Sequence, residues 1–143
     1  MTTLTPSLED YLEELYRFSL CTDTVRVTDL SVKLGVSMPS VTKALHKLKN
    51  GQYISYERYG EITLTEKGNI IGDFLVKRNQ LLKEFLILIK TNCDIEAEAE
   101  AMEHYLSQAT IRSIQAIVTF LNNNPEWYKV LLEYIVSSSK TDV

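Results

Sequence analysis

Apolar residues recur at helical spacing from near the start of the chain. Leu8, Tyr11, Leu12, Leu15 and Phe18 fall three and four apart, which lines one face of an α-helix. Ser7-Leu8-Glu9-Asp10 has the spacing of a capping box, so Ser7 is expected to cap that helix. A second, short helix is expected after Thr28, with Leu30 and Leu34 inward and a stop at Gly35. Ser37 then predicts the cap of a third helix that carries Val41, Leu45 and Leu48 on one face and ends near Asn50-Gly51. Beyond it the period changes. Ile54, Tyr56 and Arg58 alternate with Ser55, Glu57 and Tyr59, and Ile62 and Leu64 follow Gly60, the pattern of a hairpin turning near Tyr59-Gly60. Thr65 is placed to cap a long helix through Ile71, Leu75, Leu82, Phe85 and Ile89, which Asn92-Cys93-Asp94 breaks. Further helices are expected around 96–106, 110–122 and 126–136, divided by Asn122-Asn123-Asn124-Pro125.

Helix, short helix, tight turn, helix and hairpin is the order of a winged helix-turn-helix. The expected fold is mainly α: an N-terminal winged helix-turn-helix over residues 1–72, then an all-helical dimerisation domain over 73–143. With Val41, Leu45 and Leu48 turned to the core, the opposite face shows Ser40, Thr42, Lys43, His46 and Lys47. Small hydroxyls at a helix start can approach bases and phosphates, and the two lysines can neutralise phosphates. Arg58 at the hairpin tip suits a neighbouring minor groove or backbone. Lysines on one helix alone would read as a solvated face; turn, cap and wing in register favour DNA. His46 reads as a surface residue rather than a base reader.

Charge sharpens this. The 143 residues carry a net charge of −4, which by itself argues against nucleic acid. Between Val41 and Gly60, however, Lys43, Lys47, Lys49 and Arg58 stand against Glu57 alone, while Asp94, Glu96, Glu98, Glu100 and Glu103 form an acidic run with no cation. One surface for an anion and another for a cation are expected. In the C-terminal part, Trp127, Val130, Leu131, Tyr134 and Ile135 make a stripe in addition to Ile111, Ile114, Ile117, Val118 and Leu121. A helical region this small cannot easily bury all of it, so a homodimer is expected, with the two-fold symmetry of a palindromic operator. Apolar stretches are far too short to span a bilayer, and Cys21 and Cys93 form no CxxC pair, so no membrane partner and a reducing cytoplasmic location are expected.

The acidic run holds the second chemical signal. Glu100, Glu103 and His104 are three and four apart and are expected on one helix face, a ligand set suited to Mn²⁺, Fe²⁺ or Zn²⁺. Asp10 and Glu13 supply a second acidic pair on the first helix. The same residues also fit plainer roles: Asp10 as the capping-box partner of Ser7, Glu13 as a solvated acid, Met102 in the core, Cys93 as a buried small side chain. Carboxylates and histidine on helices invite comparison with di-iron bundles, but here the motif occurs once and its remaining acids lie in a DNA-binding unit. With only His46 and His104 as histidines, and no nucleophile triad or phosphate loop, an enzyme is not expected.

Four segments together resemble the metal-dependent repressors typified by the diphtheria toxin repressor, in the short manganese transport regulator branch. They are Ser7-Leu8-Glu9-Asp10-Tyr11-Leu12-Glu13, Pro39-Ser40-Val41-Thr42-Lys43, Leu64-Thr65-Glu66-Lys67-Gly68 and Glu100-Ala101-Met102-Glu103-His104-Tyr105-Leu106-Ser107. The resemblance covers roughly residues 4 to 122 and leaves no room for the third domain of the longer branch. It implies a homodimeric regulator, a repressor of metal uptake genes, in which a divalent metal joins the DNA-binding domain to the dimerisation domain. Asp10 and Glu13 match the first-helix ligands, and Glu100, Glu103 and His104 those of the dimerisation domain. Mn²⁺ or Fe²⁺ is the expected ion, with Zn²⁺ or Co²⁺ as alternatives. The DNA-contacting set would be Ser37, Pro39, Ser40, Thr42, Lys43, Lys47 and Arg58. One departure stands out. Asn79 takes the place of a histidine ligand, and Lys83 that of a frequent glutamate. The expectation is loss of one position of a two-metal site, altered metal choice, or a metal-independent dimeric winged-helix regulator with a degenerate site. In that last reading the Lys83 ammonium stands in for the cation; otherwise it points to solvent.

Overall fold

The computed structural model describes residues 4–57 and 60–140. Arg58, expected at the hairpin tip, lies outside them. Internal packing divides the chain into two units, Met1–Lys77 and Arg78–Val143.

In the first unit, α1 (Pro6–Cys21), α2 (Val27–Leu34) and α3 (Met38–Asn50) precede β1 (Ile54–Tyr56), β2 (Ile62–Leu64) and the beginning of α4 (Glu66–Leu88). The cap of α1 is Thr5, not Ser7: the Thr5 hydroxyl accepts from the Leu8 amide at 3.2 Å. Pro6 explains the shift, since its fixed φ and missing N–H suit the first helical position and move the cap one residue upstream of it. Asp10 is then five residues past the cap and loses the capping-box spacing. The second helix also starts earlier than expected, at Val27, where the Asp29 carboxylate accepts from the Arg26 amide at 2.9 Å. Gly35 ends α2 with φ of 65°, a left-handed conformation that favours glycine, and Ser37 caps α3 by accepting from the Ser40 amide at 3.3 Å.

Beneath these caps Leu12, Leu15, Leu30, Val41, Leu45 and Leu48 are almost fully buried in one core with Ile54, Tyr56, Ile62 and Leu75. The two strands pair antiparallel, Ile54 opposite Leu64 and Tyr56 opposite Ile62, and Val25 adds a bridge to Ile62. The segment Thr65-Glu66-Lys67-Gly68 locks this wing to α4. The Thr65 hydroxyl donates towards the Gln52 and Tyr53 carbonyls at 2.6 and 3.0 Å and accepts from the Gly68 amide at 3.1 Å. Lys67 donates to the Gly51 carbonyl at 2.8 Å, and its ammonium lies 4.2 Å from the centre of the Tyr53 ring. A Cβ on Gly68 would collide with the Tyr53 carbonyl oxygen, so glycine is what lets helix and strand approach.

In the second unit, the end of α4 packs with α5 (Ile95–Glu103) and α6 (Gln108–Asn123) around Leu81, Leu82, Leu86, Ala99, Ile111, Ile114 and Val118. Lys90 with φ of 56° turns the chain out of α4, and Asp94 and Ser107 cap the next two helices. Pro125 opens α7 (Pro125–Ser139), whose Tyr128 hydroxyl donates to the Leu88 carbonyl at 2.7 Å. No residue of α7 is fully buried. Trp127 and Tyr134 remain 57% and 72% exposed, and Ile117 and Phe120 of α6 are also open. Among the described residues no helix is long and apolar enough to cross a membrane.

Candidate metal centre and nucleic-acid interface

The core-facing stripe of α3 fixes what its other side presents. Ser37, Pro39, Ser40, Lys43, His46 and Lys47 are exposed, and Thr42 is half-buried. A groove runs along this face, lined by Pro39, Thr42, Lys43, His46, Lys47 and Asn50. The hydroxyls of Ser37 and Ser40 lie 2.8 Å apart, and that of Thr42 donates to the Met38 carbonyl at 3.1 Å. Each oxygen keeps acceptor capacity, so the helix start offers small polar groups and the next two turns offer two lysine ammoniums. His46 sits edge-on to Tyr56 of β1, ring centres 6.1 Å apart. A second depression joins α2, α3 and the wing through Arg26, Thr28, Met38, Thr42 and Gly60. Sequence reasoning misses Arg26 and Thr28 as part of this face; the available signal is a cation and a hydroxyl at the opening of the helix that precedes α3.

On α1 Asp10 is half-buried and Glu13 buried. The Glu13 carboxylate is not simply solvated: it accepts from Arg17 at 3.3 Å, and the Arg17 Nε is 3.6 Å from Glu14.

In the second unit α5 stops at Glu103, three residues short of the expected end, and His104 is its cap residue. Glu103 is 1% exposed, one of the most enclosed side chains described, although carboxylates are almost never so buried unless paired. Its Oε2 accepts from Asn79 Nδ2 at 3.0 Å, and its Oε1 lies 3.6 Å from His104 Nε2, itself nearly enclosed. The expectation of one shared face is met only in part: Glu103 turns inward while Glu100 is exposed. Lys83 does not point freely to solvent. Its ammonium meets Glu96 at 2.5 Å. Cys93 is partly buried, and burial, then the Glu98 carboxylate, holds its thiol above the usual range.

The donor set suits a divalent transition ion. Two ligand atoms each about 2.1 Å from one metal stand roughly 3.0–3.4 Å apart, and Glu103 Oε1 and His104 Nε2, at 3.6 Å, need only a small approach to reach that spacing. Carboxylate oxygen with a single imidazole is hard to borderline and favours Mn²⁺ or Fe²⁺ over thiophilic ions.

Residues 3–62 match the iron-dependent repressor N-terminal DNA-binding domain, and residues 65–129 match the metal-binding and dimerisation domain of the same family. The chain is 38% identical over 130 residues to the HTH-type transcriptional regulator MntR of Listeria innocua, covering 90% of this chain and 92% of that protein. The MntR of Oceanobacillus iheyensis is 38% identical over 137 residues, covering 95% and 93%. Among solved structures, a manganese-dependent transcriptional repressor in complex with manganese aligns with TM-score 0.72 and 27% identity over 79% of this chain and 53% of that one. The manganese regulator SloR aligns with TM-score 0.70 and 25% identity over 83% and 55%, so this chain spans just over half the length of these solved chains. The chain belongs to the iron-dependent repressor family, which includes the diphtheria toxin repressor and the manganese transport regulators, and is a dimeric, metal-responsive, DNA-binding transcriptional regulator rather than an enzyme.

Proposed function

We propose that this protein is a cytoplasmic, manganese-responsive repressor of metal uptake genes that binds a palindromic operator as a homodimer. Residues 1–72 read the DNA and supply part of the metal site, and residues 73–143 supply the rest of it and the dimer contacts. The observation that carries the metal reading is the buried Glu103 carboxylate with His104 Nε2 3.6 Å from it. Likeness to relatives named as manganese regulators supports Mn²⁺ as the ion, with Fe²⁺ next and Zn²⁺ or Co²⁺ as competitors.

The ligand set we propose is Asp10 and Glu13 from α1 with Glu100, Glu103 and His104 from the end of α5, as the resemblance implies. The bound ion supplies positive charge that neutralises these acids. Glu103 and His104 would hold it from a largely enclosed position, and Glu100, with Asp10 and Glu13, would offer the further carboxylates. An ion that binds one arrangement of the dimer more tightly raises that arrangement's population by its differential affinity. On the DNA side, Ser37, Pro39, Ser40 and Thr42 bring the start of α3 to the major groove, Lys43 and Lys47 neutralise phosphates, and Arg58 reaches the flanking backbone or minor groove.

The experiment is selection of sheared DNA from the source genome by the purified protein, with Mn²⁺ or with chelator. Enrichment of a discrete inverted repeat next to metal-transport genes, in Mn²⁺ alone, is the expected result. Equal enrichment in chelator would make the protein a metal-independent regulator.

A further inference from the structure

We infer that Met38 is a specificity-determining residue that reads thymine: its side chain meets the 5-methyl group of one thymine in the major groove of each half-site. The inference rests on the reading of α3 as the helix that enters that groove, and deepens it. Met38 is the first residue of α3 and is 48% exposed, although its side chain is apolar. A lone exposed methionine is ordinary on a protein surface. Its position distinguishes this one. Met38, Thr42 and His46 follow at intervals of four and form one row on the helix, and Pro39, Lys43 and Lys47 form the next. The groove along α3 is lined by both rows. Met38 and Thr42 also line the depression shared with Arg26, Thr28 and Gly60, so these two side chains stand where the two concavities meet.

The chemistry at that meeting point is apolar. The Thr42 hydroxyl is tied to the Met38 carbonyl at 3.1 Å, and the other branch of the Thr42 side chain is a methyl group. Beside it the Met38 thioether has no hydrogen to donate and accepts only weakly. Base edges in the major groove present carbonyl oxygens, ring nitrogens, amino groups and one apolar feature, the thymine methyl. Pressed against an amino group or a carbonyl, Met38 would displace water and return no hydrogen bond. Against a thymine methyl it covers apolar surface on both sides. Met38 thus selects by what it cannot pair with as well as by what it covers. Its unbranched side chain can follow the methyl group, from a backbone fixed by the Ser37 cap. Lys43 and Lys47 in the next row act on phosphates, without regard to sequence.

The test is a thermodynamic cycle between protein and DNA. The operator recovered by genomic selection is prepared with each thymine in turn, in one or both half-sites, replaced by deoxyuridine, which removes the 5-methyl group and leaves base pairing unchanged. Fluorescence anisotropy in Mn²⁺ measures binding by wild type, Met38→Ala and Met38→Leu. At one thymine, wild type is expected to lose about fourfold with one half-site substituted and about fifteenfold with both. Met38→Ala is expected to lose as much on the unsubstituted operator and then to be indifferent to deoxyuridine at that thymine, whereas Met38→Leu keeps the preference. Both variants should keep the wild-type salt dependence, because no phosphate contact is removed. Met38 lies outside the core, so both should also melt with wild type. Wild-type affinity unchanged by every substitution would overturn the inference, as would a Met38→Ala protein that distinguishes thymine from deoxyuridine wherever wild type does. In either case a discrete operator still weakened by Lys43→Ala leaves the reading of α3 standing. Recovery of no discrete operator would sink both.

Discussion

Glu103 carries its burial with help from an amide and an imidazole, and burial of this kind costs several kcal/mol where donors or a cation do not offset it. Glu103→Gln keeps an acceptor for Asn79 and removes the charge. The metal-free variant is expected to melt at or above the wild-type midpoint. The wild-type gain in Mn²⁺, about 2.7 kcal/mol at a hundredfold excess over Kd, should vanish. Thermal melts with and without Mn²⁺ check both. Gly68 makes a different demand. Gly68→Ala places a methyl group against the Tyr53 carbonyl oxygen, and denaturant unfolding should show a loss of about 1–3 kcal/mol with the wing most affected. At this scale the sequence is informative about residue types and less so about their direction. Helical spacing puts Glu100, Glu103 and His104 near one another, but positions three apart differ by about 60° around a helix, and packing leaves Glu103 buried and Glu100 exposed. Nor can spacing show that Lys83 has Glu96 as its partner, since the two lie on different helices.

Elements are legible wherever a period persists, and their ends are legible where a cap is unambiguous. Ser37, Gly35 and Thr65 act as expected, because each supplies a hydroxyl or a left-handed turn that its helix end requires. The start of α1 is ambiguous in the sequence because Ser7 and Thr5 both have capping hydroxyls, and Pro6 between them decides in favour of Thr5. For α3, replacing Lys43 or Lys47 by Ala should weaken binding similarly across DNA sequences and lower the salt dependence of log K by about 0.9 for each phosphate no longer neutralised. Titration of binding against potassium chloride measures it. For α4, Asp73 accepts from Lys77 at 2.7 Å and from the Tyr16 hydroxyl at 3.0 Å, and these bonds, Lys77's first, hold its carboxyl below the ordinary value of 3.8. Its stabilising contribution is therefore present above about pH 4 and is lost as pH falls through the lowered value. Asp73→Asn should flatten the acid limb of the stability profile in that range and leave the shape near neutrality unchanged.

The whole molecule combines two surfaces of opposite preference within a chain of net charge −4. The basic face belongs to α3 of the first unit, the enclosed Glu103 and His104 to α5 and its cap in the second. Exposed Ile117, Phe120, Trp127, Val130 and Tyr134 accord with a unit that matches a dimerisation domain, and the sequence anticipates this from apolar content that a small helical unit could not bury. It does not anticipate which residues divide: Ile111, Ile114, Val118 and Leu121 pack inside, while Ile117 stays open. Both surfaces converge on one claim, that metal held by Glu103 and His104 controls the DNA affinity of α3. The direct measurement is fluorescence anisotropy of an operator recovered by genomic selection, for wild type and Glu103→Gln, in Mn²⁺ and in chelator. The account predicts that Mn²⁺ tightens wild-type binding by at least about tenfold, or 1.4 kcal/mol, and leaves Glu103→Gln at the chelator value. Equal wild-type affinity in Mn²⁺ and in chelator would contradict it.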